Sequence, residues 1–69
     1  MIGKLVRWER DGQWFTAKVH GTGVIRGSWA GEVVDPGNWG HPLREKALAV
    51  GEWLPNLHEE FLTEQVSDG

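Results

Sequence analysis

The residue types that most often carry out catalysis are present in this chain, but their spacing does not assemble a reactive site. The three histidines, His20, His41 and His58, show none of the His-x-His or His-x₃-His spacings that bring two imidazoles to one metal ion. Glu59 and Glu60 are neighbours in sequence, so on a helix they point in different directions and cannot work as an acid–base pair. Metal-dependent and carboxylate-based catalysis are therefore not expected.

Signatures of a nucleophile or of a phosphate-binding loop are missing as well. Neither Ser28 nor Ser67 has the Gly-x-Ser-x-Gly spacing of a nucleophile elbow. Gly21, Gly23 and Gly27 do not follow the dinucleotide-binding spacing, and no helical pattern follows them. Cysteine is absent, so disulfides and thiolate metal sites are excluded. The sequence predicts a protein that is not an enzyme and that uses no cofactor and no metal.

Aromatic and cationic side chains are the groups with which this chain could bind a partner. It has five tryptophans and no tyrosine, and large aromatic rings either fill a core or anchor an interface. Residues 13–20 alternate so that Trp14, Lys18 and His20 fall on the polar face. A tryptophan on that face is a binding candidate, although Trp14 could instead pack beneath the long loop at 37–46.

The loop Asn38-Trp39-Gly40-His41-Pro42 carries a second candidate. Trp39, next to a flexible glycine, either anchors the loop to the sheet or remains exposed as a contact. If the loop folds over the first hairpin, these side chains join arginines of the first half in one aromatic and cationic patch. The predicted partner-binding residues are Trp14, Lys18, His20, Trp39, His41, Arg7 and Arg26.

Alternating apolar and polar residues predict the strands that position these side chains. A strand at 3–9 points Val6 and Trp8 inward, Asp11-Gly12 forms a hairpin turn, and a strand at 13–20 points Phe15, Ala17 and Val19 inward. A third strand at 24–34, bent at Gly27 and Gly31, places Ile25, Trp29 and Val33 on one face. The segment 35–38 is a turn in which Gly37 takes the positive φ.

The second half of the chain is less regular. A loop or single helical turn at 42–46 followed by a strand at 48–54 is favoured over a helix that starts at Pro42. After Pro55, Asn56 is a candidate N-cap of a short helical turn, with Leu57, Phe61 and Leu62 pointing inward. A last strand at 63–66 closes the fold. Residues 1–66 are expected to form one domain, with a frayed end at 67–69.

This order of elements resembles the Src-homology-3-like small barrels. Residues 4–19, in which an Asp-Gly turn precedes a Trp-Phe-x-Ala-x-Val strand, are similar to the opening hairpin of Tudor and Agenet modules. The resemblance implies a mainly all-β barrel of about five antiparallel strands with one helical turn near 56–61. It also implies a binding role; Tudor modules hold methylated lysine or arginine in an aromatic cage, to which Trp14 and Trp39 could contribute here.

The charge distribution separates three hypotheses about the partner. The net charge is −3, with a net +2 over residues 1–34 and −5 over residues 35–69. We favour a protein-interaction module that uses the Trp14 and Trp39 patch, an exposed strand edge or self-association. The alternative is a nucleic-acid-binding barrel that stacks bases on these tryptophans and contacts phosphates through Lys4, Arg7, Arg10, Lys18 and Arg26. A third is an acidic mimic of nucleic acid that uses Glu52, Glu59, Glu60 and Glu64.

Location and origin follow from composition alone. The longest uncharged apolar stretch, residues 47–51, is far too short to cross a membrane, and charged residues interrupt any apolar run near the N-terminus. We therefore expect a cytoplasmic protein without a signal peptide. The Gly, Val and Trp content is typical of high-GC bacteria and their phages, which suggests a phage accessory protein.

Overall fold

The computed structural model describes residues 1–40 and 48–65. Its strands are β1 (Leu5–Arg10), β2 (Gln13–Thr22), β3 (Ser28–Asp35), β4 (Trp53–His58) and β5 (Leu62–Glu64), with a 3₁₀ turn (Glu59–Phe61) between the last two. They form one antiparallel sheet in the order β4-β3-β2-β1-β5. The prediction of an all-β fold with five antiparallel strands and a short helical turn is confirmed. The described residues include no helix of the length and apolarity that a membrane span requires.

The first hairpin forms as its sequence predicts. Asp11 (φ 53°) and Gly12 (φ 80°) both adopt left-handed backbone conformations, which a two-residue hairpin turn requires. The turn joins Arg10 to Gln13 and sets the register in which Trp8 lies opposite Phe15. Because paired residues share a side of the sheet, this register determines which side chains of β1 and β2 face the core.

One side of the sheet, the inner face, holds the core. Phe15 is 3% exposed, and the other members of the buried cluster are Val6, Ala17, Val19, Val33, Leu48 and Leu57. Trp8 and Trp29 are half-buried and pack against this cluster, as do Leu54 and Leu62. All of the side chains of β1, β2 and β3 that were predicted to fill the interior therefore belong to the core or pack on it.

The opposite side, the outer face, carries polar and exposed groups. Leu5, Lys18, Glu32 and Trp53 are opposite one another on successive strands β1, β2, β3 and β4. The register shifts near Gly21 and Gly31, and a β-carbon at Gly31 would overlap the carbonyl oxygen of Lys18. Gly31, one of the two glycines at which a bend was predicted, is thus required there because two backbones approach closely.

The third strand begins later than its sequence indicates. Residues 24–27 form a loop, closed by bonds from the Ser28 amide to the Ile25 carbonyl (3.1 Å) and from the Gly23 amide to the Ser28 carbonyl (2.9 Å). Ile25, predicted on the core face, is 50% exposed, and Val24 is 83% exposed. The prediction that Ile25 faces the core was wrong, because these hydrogen bonds hold residues 24–27 in a loop. The alternation of the strand therefore starts only at Ser28.

The fourth strand is displaced toward the C-terminus. Residues 49–52 form a turn in which the Glu52 amide donates to the Ala49 carbonyl (3.0 Å), so the strand predicted at 48–54 starts at Trp53. Pro55 does not end this strand, because β4 is an edge strand and an edge strand tolerates a residue without a backbone N–H. Asn56 consequently lies within β4 and is not an N-cap, and the helical turn starts at Glu59 instead.

The remaining predictions have mixed outcomes. Leu57 is buried, and Phe61 and Leu62 are half-buried, in agreement with their predicted inward direction. The last strand is Leu62–Glu64, one residue earlier than expected. The turn after β3 has the predicted positive φ at Gly37 (55°). The alternatives for residues 42–46, the position of His41 and the frayed end lie outside the described residues.

Candidate binding site

Trp14 lies on the outer face but is held by its neighbours. The guanidinium carbon of Arg7 is 4.5 Å from the centroid of its ring, a cation–π contact. Gly37 packs against the indole so closely that a β-carbon there would overlap it. The side-chain Oδ1 of Asn38 accepts a hydrogen bond from the backbone N–H of Trp14 (2.7 Å). The backbone N–H of Asn38 donates to the Trp14 carbonyl (3.2 Å). Trp14 is therefore half-buried against residues 37 and 38, the first two of the long loop beneath which it could pack; residues 41–46 of that loop lie outside the described part of the chain.

Trp39 lies on the other side of the sheet. Its ring is nearly perpendicular to those of Trp8 (82°, centroids 6.4 Å apart) and Phe15 (85°, 6.2 Å apart). Both of these rings belong to the inner face, so Trp39 anchors its loop to the edge of the core. The predicted single patch of Trp14 and Trp39 does not form, because the indole of Trp39 meets the apolar rings of the inner face rather than the polar outer face.

The other predicted site residues are distributed over separate surfaces. Lys18 and His20 lie on the outer face with Arg7 and Trp14, and the Nε2 of His20 is 2.8 Å from the Oε1 of Glu32. Arg26 lies in the loop between β2 and β3, where it lines a cavity together with Trp29 and Glu59. The structure thus brings part of the predicted set together on the outer face and separates Trp39 and Arg26 from it.

Trp53 is a candidate that the sequence analysis missed. Its side chain is 55% exposed on the outer face, and its ring lies 5.6 Å from that of His20. The missed signal was the pair Trp53-Leu54, since adjacent residues of a strand face opposite sides and a sheet with one core can bury only one of them. The predicted strand at 48–54 also separates these two residues, but which of them faces the core depends on the pairing with β3.

An apolar cleft opens beside the core, between Trp39 and β4. It is a half-open cavity of about 250 Å³. Its lining consists of the aromatic group Trp8, Phe15 and Trp39 on one side, the β4 residues Leu54, Pro55, Asn56 and Leu57 on the other, and Leu48. Among the residues that the structure describes, no charged side chain belongs to this lining. We refer to it below as the apolar cleft.

The rings of the apolar cleft are fixed by packing against one another. Trp8 and Phe15, paired across the first hairpin, stack with centroids 5.1 Å apart and planes 14° from parallel. Trp39 stands across both, and Phe61 of the 3₁₀ turn contacts the Trp8 ring at 5.8 Å. Since each ring is supported by at least one other, the cleft is preorganised for an apolar group rather than formed by mobile side chains.

Most cations of the first hairpin are already paired with carboxylates. Arg7 binds Glu9 (2.9 Å), Lys4 lies 3.8 Å from Glu64, and Arg10 lies 3.6 Å from Asp11. The carboxylates proposed for an acidic mimic are similarly engaged in part, because Glu64 is one of these partners and Glu52 accepts from the Ala49 amide (3.3 Å). In residues 1–40 and 48–65, no group of three or more acidic or histidine side chains is placed to hold a metal ion.

The chain matches no protein-family model, no curated protein and no solved structure.

Proposed function

We propose that this chain is a non-enzymatic protein-interaction module that receives an apolar side chain of its partner in the apolar cleft. The observation that carries the proposal is the cleft itself, which has a volume of about 250 Å³ and is walled by three mutually packed aromatic rings, with no charged side chain among its described lining residues. Interfaces derive most of their affinity from a few large side chains that fill such pockets. A half-open apolar pocket is also the default location for a binding site in a protein without other recognisable chemistry.

The ion pairs weigh against the nucleic-acid alternative. Affinity for a polyanion comes from cations that replace the counterions of phosphates, and Lys4, Arg7 and Arg10 each already lie against a carboxylate. The two tryptophans that were to stack bases lie on opposite faces. One strand of bases could not reach both on a single surface.

The sheet edges also favour a face over an edge as the binding surface. β4, at one end of the strand order, contains Pro55, which cannot donate a backbone hydrogen bond. β5, at the other end, has three residues. Short edges and edges that contain proline are poor templates for an added strand.

We further propose a relationship to the Src-homology-3-like small barrels, supported by the opening hairpin and by the helical turn directly before the last strand.

Selection of peptides from a random display library tests the proposed function. We expect peptides with an apolar anchor residue to be enriched, and Leu54→Glu to weaken their binding by at least about tenfold, because the variant places a charge in the cleft. Trp53→Glu is the matched control, since it introduces the same charged residue at the adjacent position, on the opposite face of the sheet. Thermal unfolding shows whether each variant is folded; if Leu54→Glu is not, Pro55→Ser tests the same wall at an exposed position.

Two results would contradict the proposed function. One is the failure of any peptide to bind while the protein is folded. The other is binding that Trp53→Glu abolishes and Leu54→Glu leaves unchanged, which would place the interaction on the outer face.

A further inference from the structure

We infer that the apolar cleft selects an uncharged aromatic side chain of the partner, a phenyl or indole ring, and discriminates against a methylated ammonium group. This inference rests on the proposed function and specifies the chemistry of the group that enters the site. Clustered aromatic residues serve both kinds of ligand in proteins. Size, ring geometry and charge distinguish them here.

The cleft is large enough for an aromatic ring. An apolar cavity of about 150 Å³ in a protein interior stays dry and binds benzene, and the apolar cleft encloses about 250 Å³. An entering ring would therefore find space without displacing tightly bound water from an apolar wall. The excess volume and the half-open form leave room for the rest of a partner side chain and for its backbone at the mouth.

The arrangement of the rings favours a flat guest. A cation is held best where the faces of several rings surround it, but Trp8 and Phe15 are stacked 5.1 Å apart and each covers a face of the other. Trp39 stands at 82° to Trp8 and at 85° to Phe15. Perpendicular rings allow a planar guest to stack on one wall and meet the other edge to face, the two geometries that aromatic pairs prefer.

The charge of the cleft also opposes a cation. A buried cation needs a carboxylate or several hydrogen-bond acceptors to offset its lost hydration, and none of the lining residues within 1–40 and 48–65 is acidic. An uncharged ring has no such requirement. The side chain of Asn56 lines the cleft and makes no hydrogen bond to any other described residue. Its amide is thus available to the backbone of the partner on either side of the aromatic residue.

Two small probes, toluene and tetramethylammonium chloride, separate these chemistries without any partner peptide. Each of the five tryptophans has one indole N–H group to follow by NMR, and single Trp→Phe variants assign the five signals. We expect toluene to shift the signals of Trp8 and Trp39, which line the cleft, and to leave those of Trp14 and Trp53 unchanged. Tetramethylammonium should cause no more change than sodium chloride at the same ionic strength.

Variants confirm the location of the probe. Leu54→Glu should weaken toluene binding by at least about tenfold, while Trp53→Glu should leave it unchanged. Should Leu54→Glu unfold, the contrast between the four tryptophan signals of the unmodified protein still decides the question. Shifts of Trp8 and Trp39 by tetramethylammonium at or below the toluene concentration would overturn the inference, and so would toluene shifts confined to Trp14 and Trp53 or absent altogether.

The result separates the inference from the proposed function. Peptides whose binding depends on Leu54, together with no response to toluene, would overturn the aromatic assignment and keep the interaction module. Toluene in the cleft without any peptide ligand would support the assignment and contradict the module.

Discussion

At the scale of single residues, Gly37 and Asn38 show how one turn positions a tryptophan. Gly37 lies against the indole of Trp14, while Asn38 bonds the Trp14 backbone and donates its side-chain amide to the carbonyl of Gly12 (3.1 Å). The turn after β3 is thereby tied to both β2 and the first hairpin turn. These contacts hold Trp14 on the outer face, away from the ring cluster that walls the apolar cleft.

The first prediction concerns Gly37. Gly37→Ala should lower the free energy of unfolding by about 1–3 kcal/mol more than Gly51→Ala, because its β-carbon would overlap Trp14. Both glycines have positive φ, but a β-carbon at Gly51 meets no atom within 4 Å, so this control isolates the overlap. Denaturant unfolding measures both variants. Equal losses would show that Trp14 moves freely away from the turn.

The second prediction concerns Asn38. Asn38→Ala should cost about 1 kcal/mol of unfolding free energy, because it removes an acceptor for the Trp14 amide and a donor to the Gly12 carbonyl. Asn56→Ala, which removes no hydrogen bond to a described residue, should be nearly neutral. Chemical denaturation of the pair provides the comparison, and a loss at Asn56 that matches the loss at Asn38 would disprove this account of the turn.

At the scale of elements, the sequence predicts the first hairpin well and β4 poorly, for physical reasons. In β1 and β2, alternation and the Asp-Gly turn are local and determine both the register and the faces. In β4, Pro55 and Asn56 interrupt alternation, and the register shifts opposite Gly31. Trp8 and Phe15 could thus be placed from the sequence. The side of the sheet that Trp39 reaches, and the wall that Leu54 provides, depend on contacts distant in sequence.

A third prediction tests the corrected start of β3. Ile25→Thr should change the free energy of unfolding by less than about 0.5 kcal/mol, because Ile25 is exposed in the loop before β3. Val33→Thr should cost about 1–3 kcal/mol, because the hydroxyl would be buried without water at a position that is 1% exposed. Thermal or denaturant unfolding distinguishes them; comparable losses would mean that both residues share the core face, as alternation alone predicts.

At the scale of the whole molecule, the two faces of the sheet have different chemistry. The outer face combines the Arg7–Glu9 ion pair and the His20–Glu32 hydrogen bond with the exposed Trp53, whereas the inner face ends in a cleft whose described lining residues carry no charge. Binding in that cleft should depend on apolar contact and little on ionic strength. This difference in salt dependence separates the proposed module from a nucleic-acid-binding protein of the same size.

The fourth prediction follows from that distinction. The affinity for a selected peptide should change by less than about threefold between about 50 and 200 mM salt, whereas a protein with several phosphate contacts loses about a thousandfold or more. Isothermal titration at the two salt concentrations measures it. A steep decline, accompanied by binding of an oligonucleotide, would support the nucleic-acid alternative instead.

The most direct test of the central claim is a titration of the selected peptide into the labelled protein, followed through the five tryptophan indole signals. The account predicts that the signals of Trp8 and Trp39 move as the peptide enters the apolar cleft, and that those of Trp14 and Trp53 stay in place. Movement of Trp14 and Trp53 with Trp8 and Trp39 unchanged would contradict it.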